Sequence, residues 1–333
     1  MSAIGALRDG IRRVNGAPVV LACVAAATLM AALPFALVLR DALLAHLGSS
    51  MMADQVAQGV NVQWWYEFTG QAGVLGRTFQ PGIIGFAAVL DNLSTLADGE
   101  GRPSPIVWLG GGYLVLWLFL SGGILDRYAR GRPTRSYEFF TACGVYFVRF
   151  LRLAPCIALA YYVLLAVIHP ALLDDVFGEL TRDVTSERTA FLTRLALYVV
   201  FGALFVCVSI IFDYAKVRAV VEDRRSMIGA IVAGVRFVRR NPAAVAVLYI
   251  LTGGLFVMLL FLYALVAPGA GSTGAGIWIG VLVGQLFLLG RLWIRLVFFA
   301  SETALFQGRL AHAGYIARAP TARPEPPIVE IAL

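Results

Sequence analysis

The chain has 333 residues, of which 59% are hydrophobic and only 14% are charged, and its formal net charge is +7. Soluble domains carry about 25% charged residues, so the composition excludes an ordinary soluble protein and indicates a membrane protein. The basic balance does not indicate nucleic-acid binding, because the arginines cluster beside apolar runs, as membrane topology requires.

Six apolar segments are long enough to cross a bilayer, which takes about 20 helical residues. They cover residues 17–39, 105–125, 153–169, 191–213, 243–267 and 275–297. The first follows three arginines, as a signal peptide would, but its apolar run exceeds the signal core of about 7–15 residues. It is therefore predicted to be an uncleaved anchor.

The basic residues predict the orientation of the spans. Of the 27 basic residues, 21 lie in the segments 1–17, 126–152, 213–241 and 291–333. Positively charged loops face the cytoplasm, so both termini are predicted to be cytoplasmic. The long loop 47–104 is then outside, in a multi-pass protein of the bacterial inner membrane.

The long outside loop carries the aromatic residues Trp64, Trp65 and Tyr66. Trp and Tyr favour the headgroup level, so they are predicted to be interfacial anchors, with a binding lid as the alternative. The apolar run 79–90 is too short to span and suits an interfacial or re-entrant segment. The tail 317–333 is Pro-rich and predicted to be disordered.

A basic segment of similar sequence occurs three times. Aligning Arg135 with Arg225 gives seven identities over 15 positions, and aligning Ser2 with Ser226 gives seven over 13. Each copy precedes an outward span, which a returning span follows. Three parallel repeats are therefore predicted, each with a cytoplasmic amphipathic helix and a span hairpin. The units are 1–130, 131–220 and 221–310.

The third copy suggests what the repeated helix does. Ile228, Ile231, Val232 and Val235 follow the spacing of one helical face, and small residues collect on the other side. Such a helix either lies in the membrane interface or packs under the bundle. It is interpreted first as a structural elbow, with protein or lipid docking as the alternative. Asn241 is predicted to be the N-cap of the next span and Pro242 its first helical residue.

The order of acid, basic segment, Ala/Gly-rich helix, Arg-Arg-Asn-Pro and next span resembles uncharacterised bacterial polytopic membrane proteins. Among these is the membrane domain attached to some glycerophosphodiester phosphodiesterases. The resemblance covers about 250 residues and implies an inner-membrane helical bundle. It implies no chemistry, because the chain has no counterpart of the phosphodiesterase catalytic domain.

Each returning span ends with one acid on the cytoplasmic side, namely Asp126, Asp213 and Glu302. Ionisable groups near a bilayer are costly unless they are paired or reach water. Two interpretations stay open for these acids and the neighbouring bases. They either form interfacial ion pairs that hold the bundle together, or they bind a ligand or ion.

The last span has the most regular pattern. At 100° per residue, one stripe contains Gly280, Gly284, Arg291, Arg295 and Glu302. Gly276, Gly280 and Gly284 form a G-x-x-x-G ladder, which permits close helix packing. Arg291 is therefore predicted to face the bundle interior and to pair with Asp213, with Glu302 or Asp126 as alternatives.

Signatures of known enzyme classes are absent from the sequence. The three histidines are scattered, and neither a G-x-S-x-G motif nor a phosphate-binding loop occurs. The four cysteines lie in apolar context and form no C-x-x-C pair. The sequence predicts no catalytic residue, no metal site and no cofactor.

The leading functional hypothesis is a non-enzymatic inner-membrane protein, acting as an interaction or assembly component or together with lipid. A small-solute transporter or channel subunit is the alternative, placed second because the middle of the spans is nearly all apolar. An intramembrane enzyme comes third. Membrane lipids and other membrane proteins are the predicted partners.

Overall fold

The computed structural model describes residues 1–58, 61–79, 86–99, 104–267 and 274–310. Within these ranges the chain is largely helical and contains no strand, and six helices are long and apolar enough to cross a membrane. The prediction of an all-α, six-span protein is confirmed. Residues 80–85 of the loop, the turn at 268–273 and the tail 317–333 lie outside the described residues.

The helices follow one another with short connections. In chain order they are α1 (Ala3–Asn15), α2 (Pro18–Ser49), α3 (Ala53–Gln58), α4 (Val62–Gln71), α5 (Phe86–Asp98), α6 (Ser104–Arg130), α7 (Ser136–Val163), α8 (Phe177–Thr181), α9 (Glu187–Val221), α10 (Met227–Arg240), α11 (Pro242–Val266) and α12 (Ala275–Leu310). Helices α7 and α8 form one span, Ser136–Thr181, interrupted by π-helical turns. The other spans are α2, α6, α9, α11 and α12.

Proline decides where a short basic helix separates from the span that follows it. Pro18 and Pro242 each occupy the first turn of a span, after the breaks that end α1 and α10. Proline has no N–H to donate to the preceding turn, so the earlier helix stops there. In the second unit Arg152 stands at the aligned position, and α7 continues without a break.

Asn241 and Pro242 occupy the predicted N-cap and first helical positions of α11, but the Asn241 side chain does not cap that helix. Its side-chain amide instead donates to the Phe237 carbonyl oxygen at 3.1 Å. The Asn241 backbone N–H donates to the same carbonyl at 3.0 Å. Asn241 therefore satisfies the C-terminal carbonyls of α10, because these have no partner within their own helix.

Each of the three short basic segments packs against the end of a returning span. Helix α1 lies on α12, the first part of α7 lies on α6, and α10 lies on α9. We call this end of the bundle, formed by α1, α10 and the residues 117–130, 210–221 and 292–310, the basic end. The equivalence of the three units stays a prediction, because their close contacts differ in detail.

The contacts of α10 show how the small face predicted from the sequence is used. Met227, Ala230, Ala233, Gly234 and Phe237 are buried. A Cβ atom on Gly234 would lie 3.1 Å from the Ile211 carbonyl oxygen, so the two helix backbones nearly touch. The small face packs into the protein, which leaves Ile228 and Val232 exposed on the opposite face.

The main core lies at the basic end, where the ends of α6, α9 and α12 meet α1, α7 and α10. Nearly every residue from Ile294 to Phe306 is buried there. Further along the spans, large apolar side chains point outward, including Met30, Trp108, Val199, Ile250, Phe261 and Trp278. Lipid chains would cover such surfaces in a bilayer, so the spans need little contact with one another at that depth.

The aromatic residues of α4 do not all face outward. Trp64 is buried, stacks on Phe68, and donates from its indole nitrogen to His46 Nδ1 at 3.1 Å. Trp65 is half-buried, and only Tyr66 is exposed. The prediction that Trp64 anchors the chain in the interface is corrected, because its ring belongs to a small core between α2 and α4.

Candidate functional site: a buried carboxyl cluster at the basic end

Two of the three predicted acids, Asp213 of α9 and Glu302 of α12, lie on either side of one hydroxyl group. The hydroxyl belongs to Tyr249 of α11. Its oxygen lies 2.5 Å from Glu302 Oε1 and 3.0 Å from Asp213 Oδ2. Three helices therefore meet at a chain of three polar side chains. We call Asp213, Lys216, Tyr249 and Glu302 the carboxyl cluster.

Asp213 has a charged partner on its own helix. Its Oδ1 atom lies 2.5 Å from Lys216 Nζ, three residues later. The exposed fractions of the two side chains are 17% for Asp213 and 18% for Lys216. The pair is therefore largely buried but still reached by water. It places one negative and one positive charge at the edge of the core.

Glu302 is enclosed completely, with an exposed fraction of 0%. Its second oxygen, Oε2, has no hydrogen-bond partner within the described chain, and neither do the buried hydroxyls of Tyr214 and Ser301. Burying polar atoms without partners is unfavourable, so such atoms in a native core need a specific explanation. They make this cluster the strongest candidate site among the described residues.

Asp126, the third predicted acid, stays apart from the other two. It pairs with Arg130 one turn later, with 2.8 Å between Arg130 Nη2 and Asp126 Oδ1. This arrangement matches the structural interpretation, an ion pair that satisfies a buried carboxylate. The three acids thus occupy similar places on their spans but have different partners.

Arg295 lies over an aromatic ring. Its guanidinium carbon is 3.6 Å from the centroid of the Trp117 ring on α6. A cation over the face of tryptophan is a favourable arrangement, and it fixes the contact between α12 and α6. Arg295 is half-buried and stands seven residues, or about two helical turns, before Glu302 on α12. It is therefore a neighbour of the carboxyl cluster.

Arg291 does not take the predicted inward position. It is exposed, with its guanidinium 5.8 Å from the centroid of the Phe287 ring, and it pairs with no acid of the described residues. The predicted close packing at Gly284 is also corrected, because a Cβ atom there would meet nothing within 4 Å. Gly290 of α12 does lie close to a neighbouring span, beside Leu259 of α11.

Tyr249 is the residue of the cluster that the sequence analysis misses. It lies 36 positions from Asp213 and 53 from Glu302, so no local spacing connects the three. Its one signal is that it is a hydroxyl-bearing residue in the very apolar start of α11. Lys216 is easier to find, because it stands three residues after Asp213 on a helix.

Two open grooves carry arginines on the outer surface of the basic end. The first is lined by Val232, Val235, Arg236, Arg239 and Arg240. The second is lined by Val145, Val148, Arg149, Arg152 and Arg225. In the second groove Arg149 lies 2.5 Å from Asp223, whereas the arginines of the first have no acidic partner among the described residues.

The described ranges contain no group of three or more His, Cys, Asp or Glu residues that could hold a metal ion. The six apolar helices fit an integral membrane protein, built as a helical bundle with a buried carboxyl cluster at its basic end. Comparison with known proteins gives no match: no family model, no curated protein and no solved structure matches the chain. The resemblance to the phosphodiesterase membrane domain stays a prediction.

Proposed function

We propose that the protein is a non-enzymatic component of the bacterial inner membrane whose basic end faces the cytoplasm and binds anionic lipid headgroups. The first groove on α10 carries this proposal. Arg236, Arg239 and Arg240 are exposed there, and no acid of the described residues neutralises them. Unpaired arginines at a membrane surface attract anionic headgroups.

The apolar residues beside these arginines support a lipid rather than a soluble anion. Ile228 and Val232 of the same helix are 72% and 53% exposed. An interfacial helix typically places apolar side chains toward the acyl chains and basic side chains toward the headgroups. The face of α10 that is turned away from the core has both kinds of residue, which suits the boundary between headgroups and acyl chains.

A small-solute transporter or channel stays the alternative. Transport needs polar groups or broken helices in the middle of the membrane. The buried polar residues described are accounted for without a path through the middle of the spans. Ser121, Asp126, Ser301, Glu302 and Thr303 lie at the basic end, and Thr252 bonds to its own helix. His169, beside the π-helical turns of the span Ser136–Thr181, bonds to the Ala97 carbonyl oxygen of α5 at 2.7 Å. The lipid proposal therefore ranks first.

Removing two groove charges should weaken the binding of anionic lipid. For Arg236→Gln with Arg239→Gln, a contribution of about 1 kcal/mol per arginine predicts a loss of about 30-fold in affinity. The measurement is a titration of the purified protein in mild detergent with short-chain phosphatidylglycerol. Short-chain phosphatidylcholine should bind the wild type and the variant equally.

The matched control is Arg182→Gln with Arg188→Gln. It removes the same charge from exposed arginines around the connection between α8 and α9, at the opposite end of the spans. The control should bind phosphatidylglycerol like the wild type. Equal losses in both variants would mean that net charge alone governs binding, and would remove the groove from the proposal.

The orientation is tested separately by reporter fusions. With both termini in the cytoplasm, alkaline phosphatase fused after Ser49 should be active, and the same enzyme after Arg309 should be inactive. A fluorescent protein that folds only in the cytoplasm should give the reverse pattern. The basis is the unequal distribution of basic residues. The same signal from both positions would contradict the six-span topology.

A further inference from the structure

We infer that the carboxyl cluster binds a proton, held between Glu302 and Asp213 by the hydroxyl group of Tyr249. The Tyr249 oxygen lies within hydrogen-bond distance of a carboxyl oxygen on each side, but a phenol has one hydrogen to donate. Two short contacts between three oxygen atoms need two hydrogens, so one carboxyl group must supply the second.

The surroundings decide which carboxyl group carries that hydrogen. Asp213 faces the ammonium group of Lys216 at 2.5 Å, which stabilises its negative charge. Glu302 is fully buried and has no ion pair within the described chain. An ionised, unpaired carboxylate in such a place is strongly unfavourable, because burial removes the water that stabilises its charge. Glu302 is therefore the acid: it donates to Tyr249, and Tyr249 donates to Asp213.

The charged groups around Glu302 are consistent with this assignment. With Glu302 protonated, Asp213 and Lys216 balance each other, and Glu302 adds no further charge to the core. Arg295 is half-buried, and its guanidinium lies over the Trp117 ring rather than in an ion pair with Glu302. Besides the four members of the cluster, the titratable side chains that interact with its members are Tyr214 from α9 and Arg295 from α12.

The geometry also gives the proton a route. The proton on Glu302 can pass to the Tyr249 oxygen while the Tyr249 hydroxyl proton passes to Asp213 Oδ2. One O–H bond breaks and one forms at Tyr249, so the phenol is unchanged, Glu302 becomes a carboxylate and Asp213 becomes the acid. Asp213 is 17% exposed and Glu302 is 0% exposed. The relay therefore connects an enclosed site with one that water can reach.

The second carboxyl oxygen of Glu302 supports the inference as well. Oε2 is buried and has no hydrogen-bond partner among the described residues. Buried polar atoms are normally paired, so an unpaired one needs a specific explanation. Protonation of Glu302 provides one, because Oε2 is then the oxygen of an uncharged carboxylic acid rather than part of a carboxylate.

Infrared spectroscopy of the full-length protein in lipid nanodiscs at neutral pH tests the proton site directly. The wild type should show the C=O stretch of a protonated carboxylic acid, and this band should shift in heavy water. It should disappear in Glu302→Gln. The matched control is Glu222→Gln at the same end, where Glu222 Oε2 accepts from Arg218 and Arg224 at 2.9 Å each. The control should keep the band, because an ion-paired Glu222 is ionised.

A second variant keeps the test decisive if Glu302→Gln does not fold. Tyr249→Phe removes the hydroxyl group that accepts from Glu302, so the carboxylic acid band should move to higher frequency. A wild-type protein without the band, or a band that is unchanged in both Glu302→Gln and Tyr249→Phe, would overturn the inference. Loss of the band in Glu222→Gln alone would assign the proton to a different carboxyl group and overturn it as well.

Discussion

Gly10→Ala should destabilise the protein, although alanine is normally the better residue within a helix. A Cβ atom on Gly10 would lie 2.8 Å from the backbone nitrogen and 2.9 Å from the Cα atom of Ser301. Backbone atoms cannot rotate away, so α1 would have to move off α12. Overpacking of this kind costs about 1–3 kcal/mol. That cost exceeds the gain in helix propensity, which is at most about 1 kcal/mol.

The repeat provides the matched controls for this prediction. Gly144 stands at the aligned position of the second unit, but a Cβ atom there would meet nothing within 4 Å. Gly144→Ala should therefore stabilise the protein, by about 0.5–1 kcal/mol. Gly234 is intermediate, with its nearest backbone atom at 3.1 Å. The three free energies of unfolding should follow the order of these distances.

The measurement is the free energy of unfolding of each alanine variant in bicelles, together with the amount of folded protein in the membrane. Opposite signs for Gly10→Ala and Gly144→Ala are the expected result. A stabilising effect at Gly10 would mean that α1 does not dock on α12. The packing of the N-terminal helix α1 against the basic end would then be wrong.

The six spans could be predicted from the sequence because hydropathy is a local property. A run of about 20 apolar residues needs no knowledge of its neighbours. The break before Pro242 could be predicted for the same reason, since proline acts within its own turn. The continuous helix through Arg152 shows the limit of inference by repeat. The second unit has no proline at the aligned position, and Pro155, three residues later, lies inside α7 without a break.

The carboxyl cluster could be predicted only in part. Helical periodicity gives the direction of a side chain, but not which neighbour lies at the same height. Arg291, Arg295 and Glu302 share one stripe, yet Glu302 meets Tyr249, Arg295 meets Trp117, and Arg291 is exposed. The position of α11 relative to α9 and α12 decides these partners. That position depends on tertiary packing, which the spacing of residues along the chain does not reveal.

The ion pair between Asp213 and Lys216 should contribute substantially to stability, and the predicted pair with Arg291 should contribute nothing. In a double-mutant cycle of Asp213→Asn and Lys216→Met, we expect a coupling energy of about 1–3 kcal/mol. The physical reason is limited access to water. The side chains are only 17% and 18% exposed, so water would poorly stabilise either charge if its partner were removed. Breaking a fully buried pair costs about 3–5 kcal/mol, so a sheltered pair should fall below that range.

Two further cycles make this result specific. Arg182 and Glu179 are also three residues apart on a helix, 2.9 Å from one another, but their side chains are 69% and 67% exposed. Their coupling energy should be about 0.5 kcal/mol or less, because water screens an exposed pair. Arg291→Met with Asp213→Asn should couple by less than about 0.5 kcal/mol, as independent sites do. Unfolding in bicelles supplies all three coupling energies. Similar coupling energies for the Asp213–Lys216 and Arg182–Glu179 pairs would mean that the cluster is as hydrated as the surface. A hydrated cluster would let Glu302 ionise without a partner, so this cycle also tests the physical basis of the buried proton.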